Sequence, residues 1–271
     1  MNVEAALAFH GVGKVFTGQG KNGDTTVFNG LDFTIAKGEF AVVIGPSGCG
    51  KSTLIDLVAG FSKPSWGAIS AFGKPVRKPG PDRVIVFQDH AVFPWYTVVD
   101  NVAYGLRRQG VKRQMARRRA MEVLGRVGLK DSAHAYPAVL SGGMRQRVAL
   151  ARAIVLEPEI LLLDEPFASL DSVTRAQLQD ELAALWKSNG WTVVFITHSL
   201  SEAVYLGDRV FVLGHPPMGL RAIEAVGIER PRSRNSKRFN HCLSKLHRHM
   251  DGLFSGTSLY DNPRSIQGFE T

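Results

Sequence analysis

Cysteine is scarce in this chain: Cys49 and Cys242 are the only two in 271 residues. Two thiols build no disulfide framework, which excludes the stapled scaffolds of small secreted domains and fits a reducing compartment. Long apolar runs are missing as well. No stretch reaches the roughly 18 residues that a bilayer-spanning helix needs, so the chain is expected to be soluble by itself. Residues 1–6 hold neither a basic segment nor an apolar core, and no secretory signal is expected. No internal repeat is present. Acids are outnumbered, 24 Asp and Glu against 33 Lys and Arg, for a net charge of +9. Such an excess admits nucleic acid as a partner. However, the basic clusters (Arg107-Arg108, Lys112-Arg113, Arg117-Arg118-Arg119, and Arg232, Arg234, Lys237, Arg238) lack interleaved aromatics that would stack on single strands. No reading helix of a known type accompanies them, so no nucleic acid is expected. Solvated helix faces, or closeness to an anionic membrane surface, remain as readings. The late histidines His215, His241, His247 and His249 have poor spacing for a metal, and none is expected there.

What is present is a phosphate cradle. Gly45-Pro46-Ser47-Gly48-Cys49-Gly50-Lys51-Ser52-Thr53 fits G-x-x-x-x-G-K-[ST]. An apolar run, Phe40-Ala41-Val42-Val43-Ile44, leads in, and a helical pattern from Thr53 to Ala59 leads out. Glycines let successive backbone N–H groups converge on phosphate oxygens, and the helix N-terminus adds partial positive charge. Lys51 is expected to reach the β- and γ-phosphates, and the Ser52 hydroxyl to hold Mg²⁺. The chain is therefore expected to bind a nucleoside triphosphate.

A second apolar run, Ile160-Leu161-Leu162-Leu163, ends in Asp164-Glu165. Continuous apolar runs of this length suit a parallel strand buried on both faces, which puts the acids at the carboxyl edge of the sheet. Asp164 is expected to hold Mg²⁺, and Glu165 to orient or deprotonate water. Between the two strands lies Leu140-Ser141-Gly142-Gly143-Met144-Arg145-Gln146-Arg147, followed by a helical pattern. Ser141 reads as an N-cap, and the helix start behind it as a second anion site.

The segment from Leu140 to Arg147 resembles the signature motif of ABC ATPases. The other family elements stand in the expected order, with Gln88 matching the Q-loop glutamine, Ser169-Leu170-Asp171 the D-loop and His198 the switch histidine. Phe16 sits where the family stacks an aromatic on adenine. Ser199 departs from the more frequent aspartate. The resemblance spans residues 5–214 or so. It implies a γ-phosphate contact from His198, and a Mg²⁺ and γ-phosphate contact from Gln88. It also implies a head-to-tail homodimer in which Ser141, Gly142, Gly143, Gln146 and Asp171 of one copy face the nucleotide on the other. The stretch from residue 79 to 102 resembles the importer branch for nitrate, taurine and aliphatic sulfonates. Phe93, Pro94, Trp95 and Tyr96 would receive a membrane permease, and a solute-binding protein would supply it. An exporter subunit, a soluble non-transport ABC ATPase and a nucleotide-gated regulator are the alternatives. The long coiled coil of chromosome-type members and the paired cassettes of translation-type members are absent.

Alternating strands and helices argue for an α/β fold with a mainly parallel sheet. The resemblance adds an N-terminal antiparallel β subdomain and an inserted helical subdomain at about 91–155. Residues 1–235 are expected to form the ATPase domain, with a Gly-rich loop at 17–24. Residues 236–271 should form a C-terminal helix and a mobile tail. After His215-Pro216-Pro217 the strong apolar periodicity is lost.

Overall fold

The computed structural model describes residues 4–18, 23–88 and 91–254. Residues 19–22 of the expected Gly-rich loop and most of the expected tail lie outside the described residues. Two sheets form. An antiparallel one has the order β2 (Thr25–Ala36), β1 (Ala5–Phe16), β4 (Trp66–Ala71), β5 (Lys74–Pro75). The other has six strands. Here β6 (Arg83–Val86), β7 (Ile160–Asp164), β8 (Thr192–Ile196), β3 (Phe40–Ile44) and β9 (Arg209–Leu213) run parallel, and β10 (Leu220–Ala225) closes one edge antiparallel.

The strand period of two divides the core. Phe40, Val42 and Ile44 of β3 face one apolar cluster together with α4 (Gly142–Ile154); Ala41 and Val43 face another together with α1 (Lys51–Ala59). The same alternation holds in β7, where Leu161 and Leu163 point one way and Ile160 and Leu162 the other. Thus α1 and α4 lie against opposite faces of the six-stranded sheet, with the antiparallel sheet on the α1 side. The helical insert consists of α2 (Val98–Arg108), α3 (Arg113–Arg126) and α4, joined by two 3-10 turns. Then come α5 (Ser172–Asn189), α6 (Leu200–Leu206) and α7 (Lys237–Phe254).

Strand β10 was not singled out from the sequence. Its partly buried positions are Leu220, Ala222 and Glu224, whereas Ile223 faces outward, so alternation carries little apolar contrast. One expectation needs correction, a wholly solvated late basic cluster: Lys237 and Arg238 are exposed, but Arg232 is not. Arg232 is buried and donates to the carbonyls of Val204, Tyr205, Gly207 and Ile228. It thereby satisfies the end of α6, where last-turn carbonyls have no partner in the helix itself. Burial, with Arg230 adding to it, lowers its pKa to about 10, so it stays charged at neutral pH.

Candidate functional site

The phosphate loop is shaped by its glycines. Gly48 and Gly50 have φ of +76° and +100°, the left-handed region. A side chain at Gly50 would meet Val27 at 2.5 Å and Phe28 at 2.7 Å. Helix α1 begins at once with Lys51, so its first free N–H groups point back into the loop. Lys51 is buried, and its Nζ donates to the carbonyls of Gly45 at 2.9 Å and Pro46 at 3.0 Å. Cys49 is fully buried, and burial pushes its thiol pKa up despite Lys51 nearby. It is therefore a packing residue and a poor nucleophile at neutral pH.

The acids stand where the sheet topology puts them, at the carboxyl end of β7. The Asp164 carboxylate accepts a hydrogen bond from a side chain of α1, the Ser52 hydroxyl. Burial raises the Asp164 carboxyl above its usual range, with Glu165 and Asp56 adding negative charge, and Lys51 and Ser52 opposing. Asp56 was not singled out from sequence. The available signal was its spacing, one helical turn after Ser52. Burial raises its pKa too. Oxygen donors with paired negative charge form the chemistry that a hard divalent cation takes, so the residues present fit Mg²⁺.

Glu165 turns the chain out of β7 with φ +46°, and its N–H donates to the carbonyl of Ile196 at 3.0 Å. A non-glycine residue in this region costs about 1–3 kcal/mol, held here by the flanking strands. Its Oε1 lies 2.5 Å from His198 Nε2. Two residues 33 positions apart in sequence thus meet because β7 and β8 are neighbours. Gln88 is exposed, two residues beyond β6. Phe16 ends β1, half exposed, with Lys14 Nζ 4.8 Å from its ring centroid.

The second anion site lies elsewhere. Ser141 caps α4, accepting from Met144 N at 3.3 Å, and is exposed. Gly143 is forced by close packing, since a Cβ there would meet Thr174 Cγ2 at 2.6 Å. Thr174 belongs to the first turn of α5, whose cap is Asp171, an exposed residue accepting from Val173 N and Thr174 N. Those backbone N–H bonds from Thr174 and Val173 hold the Asp171 carboxyl below its usual range. Gln146 departs from expectation. It is fully buried in α4, with neither amide atom hydrogen-bonded. The signature helix and the phosphate loop sit on opposite faces of one sheet, so the structure does not bring Ser141 to Lys51 within the chain.

A third feature is aromatic. Phe93 packs on Trp95, Tyr96 and Tyr104, with ring centroids 5.7, 5.9 and 4.8 Å apart, and Trp95 is 67% exposed. The buried Asn101 organises this loop. Its Oδ1 accepts from Phe93 N, and its Nδ2 donates to the carbonyls of Phe93, Tyr96 and Thr97. The Arg152 guanidinium stacks 4.4 Å from the Phe93 ring centroid and donates to the Ala91 carbonyl. Beside it lies a cleft of about 280 Å³ bordered by Phe87, Tyr104 and Leu156. Asn101→Ala should lower stability by about 1–3 kcal/mol through orphaned loop groups. An unchanged melting temperature would show that the loop needs no such staple.

Comparison with known proteins agrees with this geometry. The family model described as ABC transporter matches residues 28–168. An uncharacterised ABC transporter ATP-binding protein of Methanocaldococcus jannaschii is 42% identical over 244 residues, 90% of this chain and 91% of that protein. The bicarbonate transport ATP-binding protein CmpD of Synechococcus elongatus is 42% identical, covering 84% and 82%. The taurine import ATP-binding protein TauB of Rhizobium johnstonii is 50% identical, covering 69% and 71%. Among solved structures, a dimeric ATP-binding cassette in a post-hydrolysis state with ADP and phosphate superposes with a TM-score of 0.72. It is 29% identical, with 81% of this chain and 98% of that one covered. No helix among the described residues is long and apolar enough to cross a membrane. With a phosphate loop, an acid pair with its histidine and a signature helix on one scaffold, the chain belongs to the ABC transporter family, as an ATP-hydrolysing subunit.

Proposed function

We propose that this chain powers the import of a small anion, an aliphatic sulfonate, taurine or nitrate, by hydrolysing ATP between two copies of itself. One observation carries the catalytic part: Lys51, the Ser52–Asp164 pair and the Glu165–His198 contact converge at one edge of the parallel sheet. In this reading the loop from Gly45 to Thr53 wraps the phosphates, and Phe16 stacks on adenine. Lys51 exchanges its carbonyl partners for the β- and γ-phosphates. Mg²⁺ held by Ser52, Asp164 and Gln88 would neutralise charge on the phosphates. Glu165 takes the proton of the attacking water, and His198 beside it donates to the γ-phosphate. Ser141, Gly142 and Gly143 grip the γ-phosphate held by the partner copy, with Asp171 beside them. Loss of that phosphate removes what both copies hold, and the dimer loosens, a population shift driven by ligand.

The exposed aromatic loop Phe93, Pro94, Trp95 and Tyr96 suits an apolar helix of a permease laid into a groove. The chain would then work at the cytoplasmic face of a bacterial inner membrane, supplied through a solute-binding protein. The anion class rests on the sequence between residues 79 and 102 and on relatives named for taurine and bicarbonate. Deleting the gene in a strain with no redundant importer should abolish growth on taurine, an alkanesulfonate or nitrate as sole sulfur or nitrogen source. Unimpaired growth on all three would refute the cargo and leave the ATPase untouched.

A further inference from the structure

The segment carrying His198 is held by a buried polar network that none of the chemistry above uses. Ser199 caps α6 and accepts from Glu202 N at 3.3 Å. Ser199 and Glu202 have the spacing of a capping box, in which the acid normally reaches back to the cap residue's own N–H. Here it does not. The Ser199 N–H donates instead to Thr197 Oγ1 at 3.0 Å. The Glu202 side chain turns inward, where Oε2 accepts from the Thr197 hydroxyl at 2.5 Å and Oε1 from Gln179 Nε2 at 3.2 Å. Arg175 Nε stands 3.9 Å from the same Oε1, and the Arg175 Nη2 donates to the carbonyl of Leu170. Gln179 Oε1 accepts in turn from Arg234. Thr197, Gln179 and Glu202 are all buried.

A buried carboxylate is costly unless its oxygens are satisfied. These bonds direct the Glu202 carboxylate at α5 and at the residue preceding His198. Helix α6 alone would be capped as well by the ordinary box, so helix stability does not account for the inward turn. The backbone on both sides of His198 is consequently tied to one side chain: Thr197 directly, and Ser199 through the Thr197 hydroxyl and its own cap. The His198 side chain is half exposed and meets Glu165 at the edge of the sheet, so its position depends on these flanks.

We propose that Glu202 is a positioning residue for hydrolysis, acting through Thr197 to hold His198 in reach of Glu165. The proposal rests on the reading of Glu165 and His198 as the residues at the reacting phosphate. Thr197 is the sharpest place to test it, because Glu202→Ala also strips Arg175 of its buried partner. Thr197→Val keeps the shape and removes the hydroxyl. It should lower kcat by about 10- to 100-fold, as misplacement or loss of an orienting bond does, with KM for ATP within about twofold, since the phosphate loop is untouched. Thr197→Ser should restore most of the rate. In a His198→Ala background, Thr197→Val should add less than about a twofold further loss, because residues acting through one group are not additive. A Thr197→Val enzyme with wild-type kcat, a rise in KM matching the fall in kcat, failure of Thr197→Ser to rescue, or full additivity with His198→Ala would each overturn the proposal. Wild-type turnover by His198→Ala alone would instead defeat the underlying reading of the site.

Discussion

Glu165→Gln should bind ATP normally and hydrolyse it about 10²- to 10⁴-fold more slowly, the usual cost of removing a general base. The expectation comes from placement. Glu165 leaves β7 in a left-handed turn, with its N–H anchored to Ile196 and its carboxylate 2.5 Å from His198. Glutamine has the same shape and can still accept from the imidazole, so the change removes basicity and leaves the scaffold alone. Asp164 keeps its bond from Ser52, and Lys51 keeps its loop. Because ATP is bound and not consumed, the variant should accumulate as a dimer on size exclusion in the presence of ATP and run as a monomer without it. Wild-type phosphate release by the variant would remove Glu165 from the mechanism.

Ser141→Arg should abolish hydrolysis while monomer affinity for ATP stays within about threefold, the range of a mutation that leaves the direct contacts alone. Ser141 is exposed at the start of α4, and α4 packs against the sheet face opposite to α1. No closure of one chain brings that helix start onto its own phosphate loop without breaking the sheet between them. A bulky cation at Ser141 therefore obstructs only a second copy's nucleotide. Lys51→Ala, by contrast, should lose ATP binding outright, because Lys51 is the cation inside the loop. If Ser141→Arg loses ATP binding as severely as Lys51→Ala, the two cradles serve the same nucleotide and the assignment across copies is wrong.

Much of this was legible in the residues. The continuous apolar runs at β3 and β7 marked buried parallel strands, and strands of that kind deliver the residues after them to one edge. Gly50 could be read as obligatory before its contacts with Val27 and Phe28 were known. The meeting of Glu165 with His198 was not legible, because it depends on β7 and β8 being neighbours, a matter of strand order that no local pattern encodes. Gln146 misled for a related reason. The motif says that a helix begins at Ser141, but which of its faces is outward is decided by what α4 packs against. Arg232 misled in the same way: charge was visible, and the end of α6 that consumes it was not. Strand β10 was missed because edge strands bury little and show weak contrast. The inward turn of Glu202 could have been suspected from a capping-box spacing directly after a proposed catalytic histidine. Its destination at Thr197 required coordinates.

Each ATP, in this account, is shared between the phosphate loop of one copy and the signature helix of another. Mixing equal amounts of the Ser141→Arg and Lys51→Ala chains tests that central claim most directly. Each variant alone is inactive, but half of randomly paired dimers carry one site built from an intact loop and an intact signature. Phosphate release by the mixture should therefore recover to about a quarter of the wild-type rate per chain by mass action with independent sites. Release no greater than the sum of the two variants measured separately would contradict the shared site.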